Sequence, residues 1–149
     1  MDISVFEGEG DRDSVLRAWA EVGWLDPTND KQKEGANTII DTGRAWVSRI
    51  DGDAECMVIC AEGKMRYLDD DIPLSGVTGV VTSRVARKQG LAGRLTAHAV
   101  AQEAKAGYAI SGLGMFEQGF YNRLGFGTGQ CESSIRFDPS MLTVPFVKR

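Results

Sequence analysis

The stretch VVTSRVARKQGLA, residues 80–92, combines residue types that favour the binding of an anion. The pattern predicts a strand, a basic loop that contains glycine, and a helix that begins at once. The first backbone N–H groups of such a helix have no intrahelical partner, and the helix dipole adds partial positive charge. Gly90 allows a ligand to approach closely, and Arg87 and Lys88 can neutralise phosphates. The stretch therefore predicts a site for a phosphate-bearing ligand, with an ordinary loop carrying two solvated cations as the alternative.

The identity of that ligand does not follow from the loop alone. Neither GxxxxGK(S/T) nor GxGxxG occurs in the sequence, which excludes the two common nucleotide-binding motifs. A formal net charge of −4 and a pI near 5.0 argue against nucleic acid as the partner. Metal is not expected either: Cys56 and Cys60 are predicted to be small buried side chains on one strand face, and the single His98 offers little help.

Two segments carry a resemblance to a known family. Residues 87–92, RKQGLA, resemble the first signature of the GNAT superfamily of N-acetyltransferases, Q/R-x-x-G-x-G/A, directly after a central strand. Residues 119–127, GFYNRLGFG, resemble its second signature, a short aromatic helix that ends in L-G-F/Y. Together they are especially similar to the acetyltransferase domain of the enhanced-intracellular-survival group. The matched region, about Leu74 to Gly129, covers a little over a third of the chain.

The resemblance implies direct transfer of an acetyl group from acetyl-CoA to a primary amine, within a ternary complex. Tyr121 would act as the general acid that protonates the departing thiolate. An aromatic side chain packed on the core with its hydroxyl outward is the alternative role for Tyr121. The resemblance also implies two sets of backbone contacts to the cofactor. The pantetheine arm would pair with backbone groups of Val80, Val81 and Thr82, and the pyrophosphate would accept from backbone N–H groups of Arg87, Lys88, Gln89, Gly90, Leu91 and Ala92. The Lys88 side chain would also reach a phosphate.

A general base is not evident from the sequence. Many members of the superfamily use a carboxylate on the central strand, but LSGVTGVVT has none. The run of Asp69, Asp70 and Asp71 before that strand, and Glu117 before the short helix, are candidates that would act through water. The alternative for the Asp run is a solvated turn. His98 is predicted to be a surface residue, and Arg84 occupies a position where the family often has proline.

The elements that position these residues follow from hydrophobic periodicity and turn signals. Their order predicts an α/β (α+β) fold with a mixed sheet. The resemblance adds a mostly antiparallel sheet flanked by helices, with two splayed strands that form the cofactor cleft and a bulge at Gly79 or Gly76. The predicted elements are a strand at Ile3–Phe6, a helix from Asp11 that ends at Gly23, a loop or short irregular helix over 25–43, a hairpin of Arg44–Ile50 and Ala54–Ala61, a central strand at Leu74–Thr82, a long helix that stops at Gly107, a strand at Tyr108–Leu113, a short helix at Gln118–Leu124, and one or two strands over 126–138.

Length and composition set the remaining boundaries. The 149 residues, with 42% hydrophobic and 26% charged, fit one acetyltransferase domain over 1–149, with a cofactor-binding core at about 74–129. The segment 139–149 is predicted to be an exit tail, so the chain is either complete or one domain of a longer protein. The sequence lacks an N-terminal targeting signal and any apolar run long enough to cross a bilayer, which predicts a cytoplasmic protein without membrane contact.

Several alternatives stay open at this point. A non-catalytic acyl-CoA-binding or sensory domain would need the 87–92 loop but neither Tyr121 nor a base. A nucleotide- or phosphate-binding domain outside the superfamily is a second alternative. The acceptor is either a small-molecule amine or a peptide amine. A homo-oligomer is compatible with the sequence, and the candidate interface residues are Trp24, Trp46, Met141, Leu142, Val144 and Phe146.

Overall fold

A computed structural model of the chain describes residues 2–115, 119–129 and 133–143. Its centre is one five-stranded sheet in the order β1-β2-β3-β4-β5. Every neighbouring pair is antiparallel except β4 and β5, which are parallel, so the predicted mixed, mostly antiparallel sheet is confirmed. The strands are β1 (Asp2–Val5), β2 (Arg44–Ile50), β3 (Asp53–Tyr67), β4 (Asp70–Thr82) and β5 (Ile110–Gly112).

Three α-helices cover the two faces of this sheet. Helices α1 (Gly8–Glu21) and α2 (Asp30–Thr42) pack on one face, and α3 (Leu91–Lys105) packs on the other. Cys56, Val58 and Cys60 all face α3 as buried side chains, as their spacing on β3 predicts. None of the helices in the described part of the chain is long and apolar enough to cross a membrane. Short 3₁₀ helices lie at Arg84–Ala86, Tyr121–Leu124 and Pro139–Met141.

Segment 25–43 is more regular than its sequence predicts. Helix α2 occupies most of it, and the Asn29 side chain caps the helix by accepting a hydrogen bond from the Gln32 N–H at 3.2 Å. Only Ala36 and Ile40 of this helix are buried. That single pair at i and i+4 gives too weak a periodicity to distinguish the helix from a polar loop.

Strands β3 and β4 are longer than predicted, and together they form a hairpin that was not predicted. Pairing continues to Tyr67 and Asp70, six residues beyond the expected end of β3 at Ala61. The strand residues beyond Cys60 are mostly exposed, so the apolar alternation that marks a half-buried strand is lost there.

The strands predicted over 126–138 do not form in the described residues of that segment, which have no regular structure between 126 and 129 or between 133 and 138. Four predicted positions lie outside the described residues: Glu117, Gln118, Val144 and Phe146.

Strand β4 bulges just beyond the point where its pairing with β5 ends. Met57 pairs with Val81 and Ile59 pairs with Thr78, so Gly79 and Val80 lie opposite the single residue between them on β3. Gly79 has φ +59, and a side chain there would press on Ile59 and Trp19, each within 3.1 Å of its Cβ. The predicted bulge therefore lies at Gly79 and not at Gly76.

Candidate active site

The candidate site is the cleft where β4 and β5 part. The two strands pair only from Leu74–Ile110 to Gly76–Gly112, so beyond Gly76 the edge of β4 has no strand neighbour among the described residues. The cleft has a volume of about 730 Å³. That volume lies within the range of pockets for small ligands. It is lined by Trp19, Trp24, Ile39, Val77, Thr78, Gly79, Val80, Ala92, Gly114, Met115, Phe120 and Tyr121.

The N-terminus of α3 borders this cleft through Ala92. The first N–H of the helix region to find an acceptor is that of Arg94, which donates to the Gly90 carbonyl at 3.3 Å. Within the described chain, no acceptor pairs with the N–H groups of Leu91, Ala92 or Gly93. Gly90 caps the helix with φ +75, and the space where its Cβ would lie is open. Unpaired donors, open space and a helix dipole together fit a pyrophosphate group.

Lys88 is held in an unusual backbone conformation in the same loop. Its φ of +63 lies in the left-handed region, which costs a non-glycine residue about 1 kcal/mol or more. Two side-chain contacts support the loop: Gln89 Nε2 donates to the Val85 carbonyl at 3.3 Å, and Arg94 Nη2 donates to the Gln89 carbonyl at 2.8 Å. The loop is therefore shaped by its own residues, with Lys88 exposed to solvent.

Arg84 ties the start of this loop to α1. Its backbone N–H donates to Glu21 Oε2 at 2.8 Å, and its Nη2 donates to the Glu21 carbonyl at 3.0 Å. The backbone N–H of Arg84 holds the pKa of Glu21 below its ordinary value. A proline at this position could not donate that backbone hydrogen bond, so Arg84 anchors the loop in a different way.

Tyr121 is positioned by a turn that Asn122 organises. Asn122 Oδ1 accepts from the Gly119 N–H at 3.2 Å, and Asn122 Nδ2 donates to the Phe126 carbonyl at 3.1 Å. The Tyr121 ring packs edge-to-face on Phe120 and on Phe126, with centroids 4.9 and 5.9 Å apart. Tyr121 is half-buried and lines the cleft. Asn122 was not among the predicted site residues, although asparagine is common in turns because its side chain can hydrogen-bond nearby backbone groups.

Three of the predicted site residues line the cleft, and the others are not among its lining residues. Val80, Ala92 and Tyr121 line one cleft. Val81 and Leu91 are buried in the cores on the two faces of the sheet. The hydroxyl of Thr82 lies 3.3 Å from the Sγ atom of Cys56, and the side chains of Arg87, Lys88 and Gln89 are exposed.

The predicted general bases do not reach the cleft, as far as the structure describes them. Asp69–Asp71 lie at the tip of the β3–β4 hairpin, and Arg66 pairs with Asp71 at 3.0 Å. At about 3.3 Å per residue, the strand from Asp71 to Gly79 spans roughly 26 Å. The solvated-turn alternative is therefore the better description of this run, and Glu117 lies outside the described residues.

His98 and the cysteines have structural surroundings. His98 is half-buried instead of lying on the surface, with its ring 5.0 Å from that of Trp46 in an edge-to-face contact. Burial raises the pKa of the Cys56 thiol to about 11, so the thiolate nucleophile is scarce at neutral pH. The described residues contain no cluster of His, Cys, Asp or Glu that could hold a metal ion.

Three residues that line the cleft were not predicted as site residues: Trp19, Trp24 and Ile39. Trp19 also belongs to the core between α1 and the sheet, and the sequence suggested Trp24 only as an interface residue. Trp24 and Ile39 come from the α1–α2 region, more than thirty positions before β4 in the chain. No local pattern links residues that meet only through the tertiary fold.

Comparison with known proteins gives a family for this arrangement. The family model described as "Acetyltransferase (GNAT) domain" matches residues 7–129, which include α1, the cleft and the Tyr121 turn. No curated protein sequence matches the chain significantly.

Several solved structures share the fold. A putative acetyltransferase from Agrobacterium tumefaciens str. C58 has a TM-score of 0.73 and 17% identity, over 91% of this chain and 99% of that one. Glucosamine-6-phosphate N-acetyltransferase from Arabidopsis thaliana has a TM-score of 0.70 and 14% identity, over 93% and 100%. A probable N-acyltransferase from Enterococcus faecalis V583 has a TM-score of 0.72 and 18% identity, over 82% of this chain but 31% of that one. At these identities the similarity shows the fold alone.

Proposed function

We propose that this chain, which belongs to the GNAT acetyltransferase family, transfers an acetyl group from acetyl-CoA to a primary amine. One observation carries the proposal: the cleft between β4 and β5 joins an open strand edge to the unpaired N–H groups at the start of α3. An extended amide chain can pair with the strand edge, and a pyrophosphate can accept from the helix N–H groups. Acetyl-CoA has both parts in one molecule.

The proposed binding roles follow the order of these features along the cleft. Backbone groups of β4 at Val80, Val81 and Thr82 pair with the pantetheine arm. Backbone N–H groups from Arg87 to Ala92 hold the pyrophosphate, and the exposed Lys88 side chain adds a positive charge beside it. Acetyl-CoA supplies the activated thioester that reacts with the amine.

Tyr121 is the proposed proton donor. Its ring lines the cleft, where a phenol can donate a proton to the sulfur as the C–S bond breaks and the new C–N bond forms. The amine must lose a proton to react. No carboxylate lines the cleft among the described residues, so we assign that proton to solvent.

Finer proposals come from the sequence. We place the chain near the enhanced-intracellular-survival group because of GVTGVVTSRVARKQGLAGRL and FYNRLGFG. We treat residues 1–149 as one acetyltransferase domain, and the cytoplasmic location stays a prediction. The acceptor is a small-molecule or peptide amine.

The second candidate function is non-catalytic acyl-CoA binding, which the lack of a lining carboxylate among the described residues favours.

The substitution Gly93→Glu tests the cofactor site. Gly93 lies in the first turn of α3, and the space around its Cβ position is open. A carboxylate there favours the helix through its dipole but repels a pyrophosphate at the same N-terminus. We expect the affinity for acetyl-CoA in calorimetric titration to fall at least about tenfold, while the melting temperature does not fall.

Ala101→Glu is the matched control, because it adds the same charge to an exposed position two turns further along α3. It should keep the affinity of the wild type. Equal affinity of the wild type and the Gly93→Glu protein would contradict the proposed pyrophosphate position. No acetyl-CoA binding by the wild type would contradict the proposed function as a whole.

A further inference from the structure

One end of the cleft is built from large apolar side chains. Trp19 comes from α1, Trp24 from the segment after it, and Ile39 from α2. Trp24 and Ile39 are each 46% exposed, although both are large and apolar. Exposed apolar side chains that gather at one concave site mark a binding surface more often than scattered ones do.

This apolar end lies away from the phosphate-binding loop. Trp19 belongs to the core on the α1–α2 face of the sheet, whereas Ala92 packs on the α3 face. The cleft therefore passes through the gap between β4 and β5 from one face of the sheet to the other. The bulge at Gly79 lies between these ends, with Trp19 Cζ2 3.1 Å from where its Cβ would be. If acetyl-CoA enters from the α3 side, the α1–α2 side is left for the acceptor.

We propose that the acceptor is a small primary amine carried on an apolar aliphatic or aromatic body with no second positive charge. This inference rests on the proposed acetyl transfer and names its substrate class. Burying an apolar body against Trp19, Trp24 and Ile39 contributes about 25 cal/mol per Å². A second ammonium group would lose its hydration at walls that offer it no charged partner among the described residues.

The same apolar walls assist the chemistry. Removal from water disfavours the charged form of an amine, which lowers the pKa of the bound group and favours the neutral nucleophile. This effect substitutes for a carboxylate base, which is absent from the described lining of the cleft. A polyamine gains no such assistance, because its remaining ammonium groups keep the molecule in water.

Hexylamine and cadaverine provide a direct comparison. Their chains have the same length, and they differ in one terminal group, a methyl in hexylamine and an ammonium in cadaverine. With acetyl-CoA at saturation, we expect kcat/KM for hexylamine to exceed that for cadaverine by about 100-fold, measured as release of CoA thiol. Equal values, or a preference for cadaverine, would overturn the proposal.

The substitution Ile39→Glu tests whether this end of the cleft sets the preference. A carboxylate at the mouth should reduce the hexylamine-to-cadaverine ratio at least about tenfold, because it can pair with the second ammonium. Thr38→Glu is the matched control, since Thr38 is the exposed neighbour on α2 and does not line the cleft. A ratio that changes equally in both variants, or in neither, counts against the location.

Indole N–H signals in ¹⁵N NMR spectra give a readout that does not depend on turnover. The chain has three tryptophans, and Trp46 lies outside the cleft against His98. Phenethylamine added to the protein should shift the signals of Trp19 and Trp24 and leave that of Trp46, with assignments from single Trp→Phe variants. If acetyl-CoA binds but phenethylamine shifts none of them, the acceptor proposal fails while the cofactor site stands. If acetyl-CoA does not bind, the proposed function itself fails.

Discussion

Tyr121 owes its position to its neighbours more than to its own secondary structure. A 3₁₀ turn of four residues is too short to fix a side chain, but Asn122 closes the turn with two hydrogen bonds. Phe120 and Phe126 then hold the ring from two sides. The sequence resemblance names Tyr121, and in the structure its side chain lines the cleft.

Tyr121→Phe should separate catalysis from binding. The change removes the phenol proton and keeps the ring packing, so we expect kcat to fall about 100-fold with little change in the affinity for acetyl-CoA. The rate at which the acetylated amine forms gives kcat, and calorimetric titration gives the affinity for acetyl-CoA. Tyr67→Phe is the control, because Tyr67 is exposed at the far end of β3. An unchanged kcat in Tyr121→Phe would assign Tyr121 a packing role.

The site could be predicted from sequence only where its residues are close together in the chain. Val80, Ala92 and Tyr121 belong to two short motifs, and motif order is visible without a structure. Trp19, Trp24 and Ile39 reach the same cleft from α1, from the segment after it and from α2. Their contribution depends on how α1 and α2 pack on the sheet, which no local pattern encodes.

At the scale of elements, the strands carry the clearest signal where one face is buried. The predicted β2–β3 hairpin forms, and its chain reverses at Asp51-Gly52, with Asp51 at φ +53 and Gly52 at φ +97. The outer half of β3 and helix α2 lack that signal because few of their side chains are buried. The sequence does not distinguish Gly76 from Gly79 as the position of the bulge, because that position depends on how β4 pairs with β3.

An ion pair between Arg44 and Glu103 joins the start of β2 to the last turn of α3. Glu103 is 1% exposed and accepts from Arg44 Nε at 2.8 Å and Nη2 at 2.5 Å. The Arg44 guanidinium also lies over the Tyr108 ring, 4.6 Å from its centroid. Hydrogen bonds from Arg44 hold the pKa of Glu103 below its ordinary value.

The substitution Arg44→Met should leave the buried carboxylate of Glu103 without its cationic partner. We expect the free energy of unfolding at pH 7 to fall by about 2 kcal/mol, less than for a fully buried pair because Arg44 is itself partly exposed. Since the pKa of Glu103 is lowered in the folded protein, its stabilisation is present above its unfolded pKa and lost as pH falls through the folded value. In the variant, burial raises that pKa instead, so the deficit should shrink from pH 7 to pH 4. Urea unfolding at both pH values measures it.

The double variant Arg44→Met with Glu103→Leu serves as the control for this pair. Replacing both partners by apolar side chains removes the buried charge, so most of the lost stability should return. A deficit in Arg44→Met that stays the same at pH 4 and pH 7 would mean that the charge of Glu103 is not its cause.

For the molecule as a whole, the fold and the activity are separable. Structures with TM-scores of 0.70 to 0.73 share this fold at 14 to 18% identity, so very different sequences build the same fold. In our proposal, the cofactor end of the cleft uses backbone groups, which any sequence supplies. The proposed acceptor end uses side chains of α1, α2 and the segment between them, and we expect substrate choice to lie there.

The most direct test of acetyl transfer is a two-substrate kinetic measurement with product identification. Acetyl-CoA and a primary amine are varied together, with hexylamine, cadaverine and glycinamide each tried as acceptor, and the acetylated amine is identified by mass spectrometry. We expect an N-acetylated product with at least one amine and intersecting double-reciprocal lines, as a ternary complex requires. Acetyl-CoA binding without any acetylated product would contradict it and favour a non-catalytic acyl-CoA-binding domain.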